Sequence, residues 1–423
     1  MGELIRGTVA PAIPDRRRRL PPPDSLGRGR PRGKLAGHDE ARLTLVDVAI
    51  IGGGIIGCSA AAMLAERSAR VTLFEATAVG AGASGRNLGA LQHPFDPVLA
   101  PLFHDSLDRY ARLGDEGVGF ALPPAPAGLL LLNADANAAR AQATRLAASV
   151  PELRPTFLDA DTVATEEPSL AAGYAACRLA TGYPIPPATA TTGWARLAER
   201  RGATLRVGVA AGPWLRDGRV VGVRLANGET FAADAVLLAA GPWTPVLADP
   251  HGAWRPIVRT WGVTVQLELG AAAPRHVVEE DEVDAANRPA AAAARAADAE
   301  AVDPPTLFSL ASAAGISTLG STFLPAEPDQ QRIARLLVDR AVSYLPGVAA
   351  ARVAEVRTCA RPQSVDGRPF IGPVAGMDGL FVCAGHGPWG ISTGPASAAL
   401  AVDAIEDAGR IPAQLRADRP PAA

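Results

Sequence analysis

Three glycines and an acid carry the first chemistry this sequence offers. Gly52, Gly54 and Gly57 stand in G-x-G-x-x-G spacing, and Glu75 follows 18 residues beyond the last of them. Gly52 allows a tight turn, Gly54 lets the backbone approach a pyrophosphate, and Gly57 lets a helix pack closely on a strand. Unpaired N–H groups where that helix begins would point at phosphate oxygens. A carboxylate at position 75 stands where a ribose 2′-hydroxyl is gripped, and it would repel the 2′-phosphate of NADP. The chemistry indicated is dinucleotide binding.

A second set follows in Gly80-Ala-Gly-Ala-Ser-Gly-Arg-Asn-Leu-Gly89. The density of glycine and small polar residues predicts a loop, neither helix nor strand. Ser84, Arg86 and Asn87 can donate to phosphate or ring oxygens, while Gly82, Gly85 and Gly89 admit close backbone approach. A third set lies near the C-terminus, where an apolar run breaks at Gly385-His386-Gly387 and a helix begins at about Gly390. That helix, expected to reach Asp407, would aim its positive end into the same crevice.

These residues need strands and helices to hold them. The run Val48 to Ile51 enters the first glycine turn, a helix-period segment follows, and a second apolar run closes on Glu75, which is a βαβ unit. Ala233 to Leu238 reads as a fully buried parallel strand ending at Gly241, so the nucleotide fold resumes there after an insertion. Between them, helical periodicity runs from Pro97 to about Ala148, interrupted by a strand at Gly128 to Leu132, with Asp135 as an N-cap. Thr192 to Arg201 reads as a helix leading to a strand at Thr204 to Val209. Arg219 to Leu225 and Glu229 to Ala233 read as a hairpin with a type I′ turn at Asn227-Gly228. Arg259 to Leu269 alternates like a strand, Thr318 to Phe323 is a short strand, and Asp329 to Leu345 is a helix stopped by Pro346-Gly347.

The chain has 423 residues, 48% of them hydrophobic, and a net charge of −2. That length supports two domains, and that charge gives no long-range reason to expect nucleic acid or an anionic membrane. Cys58, Cys177, Cys359 and Cys383 are far apart with no C-x-x-C pair, which excludes a zinc ribbon or disulfide framework and fits a reduced cytoplasmic protein. No apolar run is long enough to cross a bilayer. Arg16 to Arg19 precede Leu20-Pro-Pro-Pro where an export signal needs an apolar segment. Residues 1–43 are too rich in Pro, Gly and Arg to build a core and read as a disordered tail; Ala286 to Pro305 reads as a low-complexity insert.

Taken with Ala239-Ala-Gly241, Gly320-Ser-Thr322 and Arg361-Pro-Gln-Ser-Val-Asp366, these motifs resemble the D-amino-acid oxidase-like flavoprotein family, which includes glycine oxidase, sarcosine oxidase and the D-amino-acid dehydrogenases. The resemblance spans about residues 45 to 409 and is thin between 95 and 200. It implies an α/β fold, a Rossmann-like FAD-binding domain (44–95, 190–248 and 350–410) with an inserted antiparallel-sheet substrate domain (96–189 and 249–349). It implies FAD held at Gly52, Gly54 and Gly57, with Glu75 on the adenosine ribose, Ser84, Gly85, Arg86 and Asn87 on the phosphate and isoalloxazine side, the backbone of Val209 on adenine, Gly241 at the crevice, and Gly387, Gly390 and Ile391 at flavin N1 and C2. Arg361 looks like the family's substrate-carboxylate arginine; the alternative is that it pairs with Asp366 to shape a turn.

The implied activity is FAD-dependent oxidation of the C–N bond of a small amino acid or N-substituted amino acid to an imine, by hydride transfer to flavin N5. A 2-hydroxy-acid dehydrogenase, a flavin-bearing subunit of a hetero-oligomeric amine dehydrogenase and a non-catalytic FAD binder stay open. Cys359 matches the position that carries flavin covalently in sarcosine oxidase-like members, whereas Ala360-Arg361-Pro362 is similar to non-covalent ones. Lys34 is the single lysine, so the lysine that activates O2 in sarcosine oxidase has no counterpart, and the implied acceptor shifts toward a quinone or carrier. His386 reads as a turn residue behind the flavin or a proton carrier, and Trp261, Trp389 and Gln92 as pocket walls or core.

Overall fold

Val48 to Ile51 are all buried, as an apolar run with neighbours on both faces must be. In the computed structural model, which describes residues 46–249, 251–281, 283, 305–407 and 409–420, this run is the Asp47–Ile51 strand of a six-stranded sheet. The order across that sheet is Phe370–Pro373, Leu380–Ala384, Ala235–Leu238, Asp47–Ile51, Arg70–Glu75, Thr204–Val207. Every pairing is parallel except the first. Val48 lies opposite both Ala235 and Val71, so the two segments read as strands of one nucleotide sheet are direct neighbours. The expected tail at 1–43, with Arg16 to Arg19 and Lys34, lies outside the described residues, as does the expected insert apart from Pro305.

Alternation along these strands divides two cores. Val48, Ile50, Val71, Leu73 and Leu237 face the helices Ile55–Glu66, Ala100–Asp115, Pro187–Arg200 and Gly390–Ile405. Ala49, Ile51, Phe74, Val236 and Leu238 face a three-stranded sheet through Val220, Val223 and Leu225. The Ile55–Glu66 helix is buried from Ile55 to Ala65, which its small residues make feasible: a Cβ on Gly394 of the neighbouring helix would come 3.0 Å from Ile56.

A separate eight-stranded sheet runs Arg352–Ser364, Ile257–Glu268, Ile316–Gly320, Ser309–Ala313, Val277–Glu280, Leu129–Asn133, Ala175–Leu179, Thr156–Leu158. It is antiparallel apart from the Val277–Glu280 and Leu129–Asn133 pair. One face carries the Gln330–Val342 helix through Ile333, Leu337 and Ala341. The other turns Leu129, Leu131, Val277 and Ala311 toward Leu88 and Ala90 of the glycine-rich segment. The mixed α/β class, with a parallel-sheet core and a separate, mainly antiparallel sheet, is as expected.

Several local readings need correction. The Gly80–Gly89 segment contains a helical turn, Ala83–Arg86. The strand expected to reach Val209 ends at Val207, and Gly208 then takes a φ of +78°. The hairpin has a third strand, Ala211–Arg216, and only Gly228 of the Asn227-Gly228 pair has positive φ, so the turn is not type I′. Asn227 instead accepts the Glu229 N–H through its side chain at 3.0 Å. The strand expected at 318–323 is Ile316–Gly320, and the last helix stops at Ile405. Asp135 and Asp329 are N-caps, accepting from Asn137 N and from Gln331 N and Arg332 N. Among the described residues no helix is long and apolar enough to cross a membrane.

Candidate active site

At the carboxyl ends of the parallel strands the chain leaves a cavity of about 670 Å³. It extends from Glu75 and Val209, past Gly52, Gly54 and Ser84, to Cys359, Arg361, Gly387, Gly390 and Ile391. Its floor is backbone. A Cβ on Gly52 would lie 2.4 Å from the Ala239 carbonyl oxygen, and one on Gly57 would lie 1.9 Å from that of Gly52. Gly52 and Gly54 line the cavity, whereas Gly57 packs behind it. Gly54 is the N-cap of the Ile55–Glu66 helix and has no side chain to bond the first N–H groups, which leaves a ready anion site.

Glu75 does more than face a ribose. Oε2 accepts the Gly53 N–H at 2.7 Å, and Oε1 accepts the Thr77 N–H and hydroxyl at 2.8 and 2.9 Å. The carboxylate pins the glycine turn to the end of its neighbouring strand while still lining the cavity, with a lone pair left on Oε2. Val209 also lines the cavity, and its N–H is given to the Glu75 carbonyl at 2.8 Å.

The Gly80–Gly89 residues are more tied to protein than their chemistry suggested. Ser84 Oγ accepts the Ile55 N–H at 3.0 Å. Asn87 lines the cavity, and its amide also shapes the loop, donating to Ala83 and Ser84 carbonyls at 3.0 and 2.9 Å and accepting the Gly89 N–H at 2.8 Å. Gly85 is not a cavity residue, and its missing Cβ would be 2.3 Å from the Gly80 carbonyl oxygen. Arg86 lines the cavity and donates to the Thr358 carbonyl at 2.9 Å.

Sequence reasoning missed Arg357. This buried guanidinium donates to the Gly85 and Asn87 carbonyls, both at 3.2 Å, and burial lowers its pKa. It clamps the glycine-rich turn onto the eight-stranded sheet. A signal was present, since positions 357, 359 and 361 of a strand share one face. Cys359 lines the cavity between the two arginines, and burial pushes its thiol pKa up against the pull of Arg361, Arg86 and Arg357.

Arg361 reaches over Gly262, where no side chain stands in its way; a Cβ there would be 2.4 Å from Nη1. Nη1 donates to the Thr322 carbonyl at 2.7 Å, Nη2 to Ser321 Oγ at 3.1 Å, and the Phe323 ring lies 4.9 Å away. Burial lowers its pKa, yet a guanidinium stays charged. The alternative pairing with Asp366 is excluded, because Arg419 takes that carboxylate at 2.8 and 3.0 Å. Among the described residues no carboxylate is placed against Arg361.

At the far end Gly387 has a φ of +54°, and a Cβ there would be 2.6 Å from Gln363. His386 is buried, its Nε2 has no hydrogen-bond partner, and burial lowers its pKa to about 3. Burial thus favours the neutral imidazole. Trp389 and Trp261 belong to the hydrophobic cores. Gln92 donates to Glu279 at 2.9 Å.

An elongated cavity with a glycine floor, a helix N-terminus at its middle, an acid at one end and an orphaned imidazole nitrogen and cationic side chain at the other fits a dinucleotide carrying a polar ring. Comparison with known proteins decides which. The family described as FAD dependent oxidoreductase, DAO, matches residues 47–404. The chain belongs to this family. It is thus an FAD-dependent oxidoreductase, and its cofactor is FAD. A glycine oxidase of Pseudomonas aeruginosa is 29% identical over 377 residues, covering 86% of this chain and 95% of that one. Among solved structures, glycine oxidase from Bacillus cereus superposes with a TM-score of 0.73 at 22% identity, over 86% of this chain and 96% of that one. Iminodiacetate oxidase from Chelativorans sp. BNC1 gives 0.73 at 23%, over 89% and 100%.

Proposed function

We propose that this DAO-family oxidoreductase oxidises the C–N bond of a small amino acid or N-substituted amino acid to an imine. The observation that carries the reading is Arg361: a guanidinium at the cavity wall, oriented by Thr322 and Ser321, with no protein carboxylate against it among the described residues. Such a group takes a substrate carboxylate through two parallel hydrogen bonds and fixes the Cα–H in one direction. The glycine oxidase and iminodiacetate oxidase relatives are named for substrates that carry both a carboxylate and an amine.

FAD, when bound, supplies the hydride acceptor; the substrate nitrogen gives up a proton, and water hydrolyses the imine after release. Gly52, Gly54 and the Ile55 end of the helix would hold the pyrophosphate, Glu75 and Val209 the adenosine end, and Gly387, Gly390 and Ile391 the ring. Gly241, with a φ of +55°, keeps side chains out of the crevice between these ends. The N-terminus of the Gly390–Ile405 helix favours negative charge at the ring. The electron acceptor would be a quinone, a carrier or O2, the first two favoured by a chain whose single lysine is Lys34.

The test is anaerobic bleaching of the yellow holoenzyme by a panel of D-amino, N-methylamino and 2-hydroxy acids. At least one amine-bearing carboxylate should bleach it, and Arg361→Met, still yellow, should slow that bleaching by about 100-fold or more. Bleaching of the variant at the parent rate would overturn the assignment.

A further inference from the structure

The helical turn Ala83–Arg86 lines the cavity through Ala83, Ser84, Arg86 and, just past its end, Asn87. Its own sequence does not explain why it is helical. A single turn fixes several backbone angles for very few hydrogen bonds, Gly85 within it is a weak helix former, and its N-cap, Gly82, has no side chain to bond it.

The explanation lies in its carbonyls. The last carbonyls of a helix have no partner within it, and here each one from Ala83 to Asn87 is taken by a side chain. Asn87 donates to those of Ala83 and Ser84 at 3.0 and 2.9 Å. Thr264 Oγ1 donates to that of Arg86 at 3.1 Å, and Arg357 donates to those of Gly85 and Asn87 through Nη1 and Nη2, both at 3.2 Å. The carbonyls of residues 85, 86 and 87 therefore depend on two side chains of the eight-stranded sheet.

Thr264 and Arg357 lie directly opposite each other on neighbouring strands, so the two donors share a face. The next pairs along that face are Gly262 with Cys359 and Thr260 with Arg361. A bond also runs the other way, since Arg86 Nη1 donates to the Thr358 carbonyl at 2.9 Å. Turn and strand pair hold each other through both the carbonyl and the guanidinium of Arg86.

Stability alone does not account for Arg357. Its Nε is buried without a partner, its acceptors are neutral carbonyls, and burial outweighs the favourable charge of Glu355 on its own strand. Burying a cation with no carboxylate bonded to it is unfavourable for a fold. What a planar guanidinium adds is a rigid fork that spans two acceptors at once, which neither an ammonium nor an apolar side chain reproduces.

We propose that Arg357 is a positioning residue for the cofactor: with Thr264 it keeps residues 83–87 helical, and so keeps Ser84, Arg86 and Asn87 on the wall against which FAD lies. It acts through the turn, since Arg357 itself does not line the cavity. The inference goes beyond the reaction proposed above and does not depend on which substrate is oxidised.

The experiment uses holoenzyme. FAD release on dilution is followed by flavin fluorescence, and the visible spectrum of the bound flavin is recorded for Arg357→Met, Arg357→Lys, Thr264→Val and the Arg357→Met/Thr264→Val double variant. Arg357→Met should bind FAD about 10-fold or more weakly, as loss of two charge-assisted hydrogen bonds predicts, and its spectrum should move toward that of free FAD. Arg357→Lys keeps the charge but not the fork and should be weakened as well; parental affinity in that variant would overturn the proposal, because charge alone would suffice. Thr264→Val should show a smaller loss, and the double variant less than the product of the two single losses, because both residues cap one turn. Losses that simply multiply would mean that the two act separately and would count against it. An affinity and spectrum like the parent's in Arg357→Met, whatever happens to its unfolding midpoint, would leave Arg357 a packing residue. Should Arg357→Met not accumulate as folded protein, Arg357→Lys and Thr264→Val decide by the same measure. No substrate enters these measurements, so their failure is distinct from a failure of the amino-acid reading.

Discussion

The two sheets solve the problem of holding a ligand in opposite ways. Around the six-stranded sheet the cradle is made of backbone and of side chains left out: Gly52 and Gly57 interlock within van der Waals distance, and Glu75 closes the turn, all within one βαβ unit. On the eight-stranded sheet the wall is made of long side chains whose partners are remote in sequence, Arg361 on Ser321 and Arg357 on Gly85. A cradle of backbone tolerates almost no added atom. A wall of side chains tolerates substitution but loses its specific contacts.

The sharpest way to break this contrast is one methyl group. Gly57→Ala places a Cβ 1.9 Å from the Gly52 carbonyl oxygen, which cannot move without opening the turn. The expected outcome is a protein that purifies colourless and unfolds with a loss of about 4 kcal/mol or more, among the largest single-residue effects. Gly114→Ala is the control, since its added Cβ would come no nearer than 3.6 Å to the residues packed against it and Gly114 lies outside the cavity; it should stay yellow and within about 0.5 kcal/mol of the parent. Flavin absorbance and urea unfolding read both. A yellow, stable Gly57→Ala protein would mean that close backbone packing does not set the cradle.

A charge network sets the next scale. Glu167 is buried beneath the eight-stranded sheet and accepts from the Arg275 N–H at 2.8 Å, the His276 N–H at 2.7 Å and His276 Nδ1 at 2.6 Å. Burial alone would raise its pKa, but these hydrogen bonds prevail and hold it below the ordinary carboxylate value. A carboxyl whose folded pKa is depressed adds stability above its unfolded pKa of about 4.3 and loses it as pH falls through the folded value. Glu167→Gln should therefore cost about 1–3 kcal/mol at pH 7, with the gap to the parent narrowing below about pH 4. Thermal unfolding at the two pH values checks it. The variant should keep its FAD, because nothing in this network touches the cavity; a colourless protein would mean the two regions are less separate than their contacts show.

The same division explains what could be read from the chain. The βαβ unit is local: run, glycine turn, helix, run and acid follow one another, and each has one physical reading. The parallel strand at Ala235–Leu238 was equally legible because burial on both faces leaves an uninterrupted apolar run. The eight-stranded sheet was legible only in pieces, since its pairing joins Arg352–Ser364 to Ile257–Glu268 and Val277–Glu280 to Leu129–Asn133 across long separations. Arg357 and Arg361 show the limit. They share a face of one strand, yet the motif around Arg361 singled it out, while the clamp made by Arg357 depends on a loop 272 residues earlier. Asn87 shows it too: it lines the cavity, but its side-chain donors go to its own loop, a pairing that no local pattern announces.

The smallest effect tests a part of the eight-stranded region that local sequence did specify. Asp135 precedes the Ala136–Ser149 helix and accepts the Asn137 N–H at 2.8 Å, and its own N–H goes to Asn133 Oδ1 at 2.7 Å at the end of the adjoining strand. Asp135→Ala frees one helix donor and should cost about 1 kcal/mol, and Asp135→Asn only a fraction of that, because an amide oxygen caps nearly as well. Ala143 and Leu146 of this helix pack with Leu129 and Leu131 on the cofactor side of the sheet, in the cluster that also holds Ala90. Fraying of its first turn leaves that contact in place, so flavin absorbance and substrate bleaching should not change while the unfolding midpoint falls. If the cap variant lost flavin as well, the first turn would have to be coupled to the Leu88 to Ala90 segment, and the wall would carry the cradle rather than only lean against it.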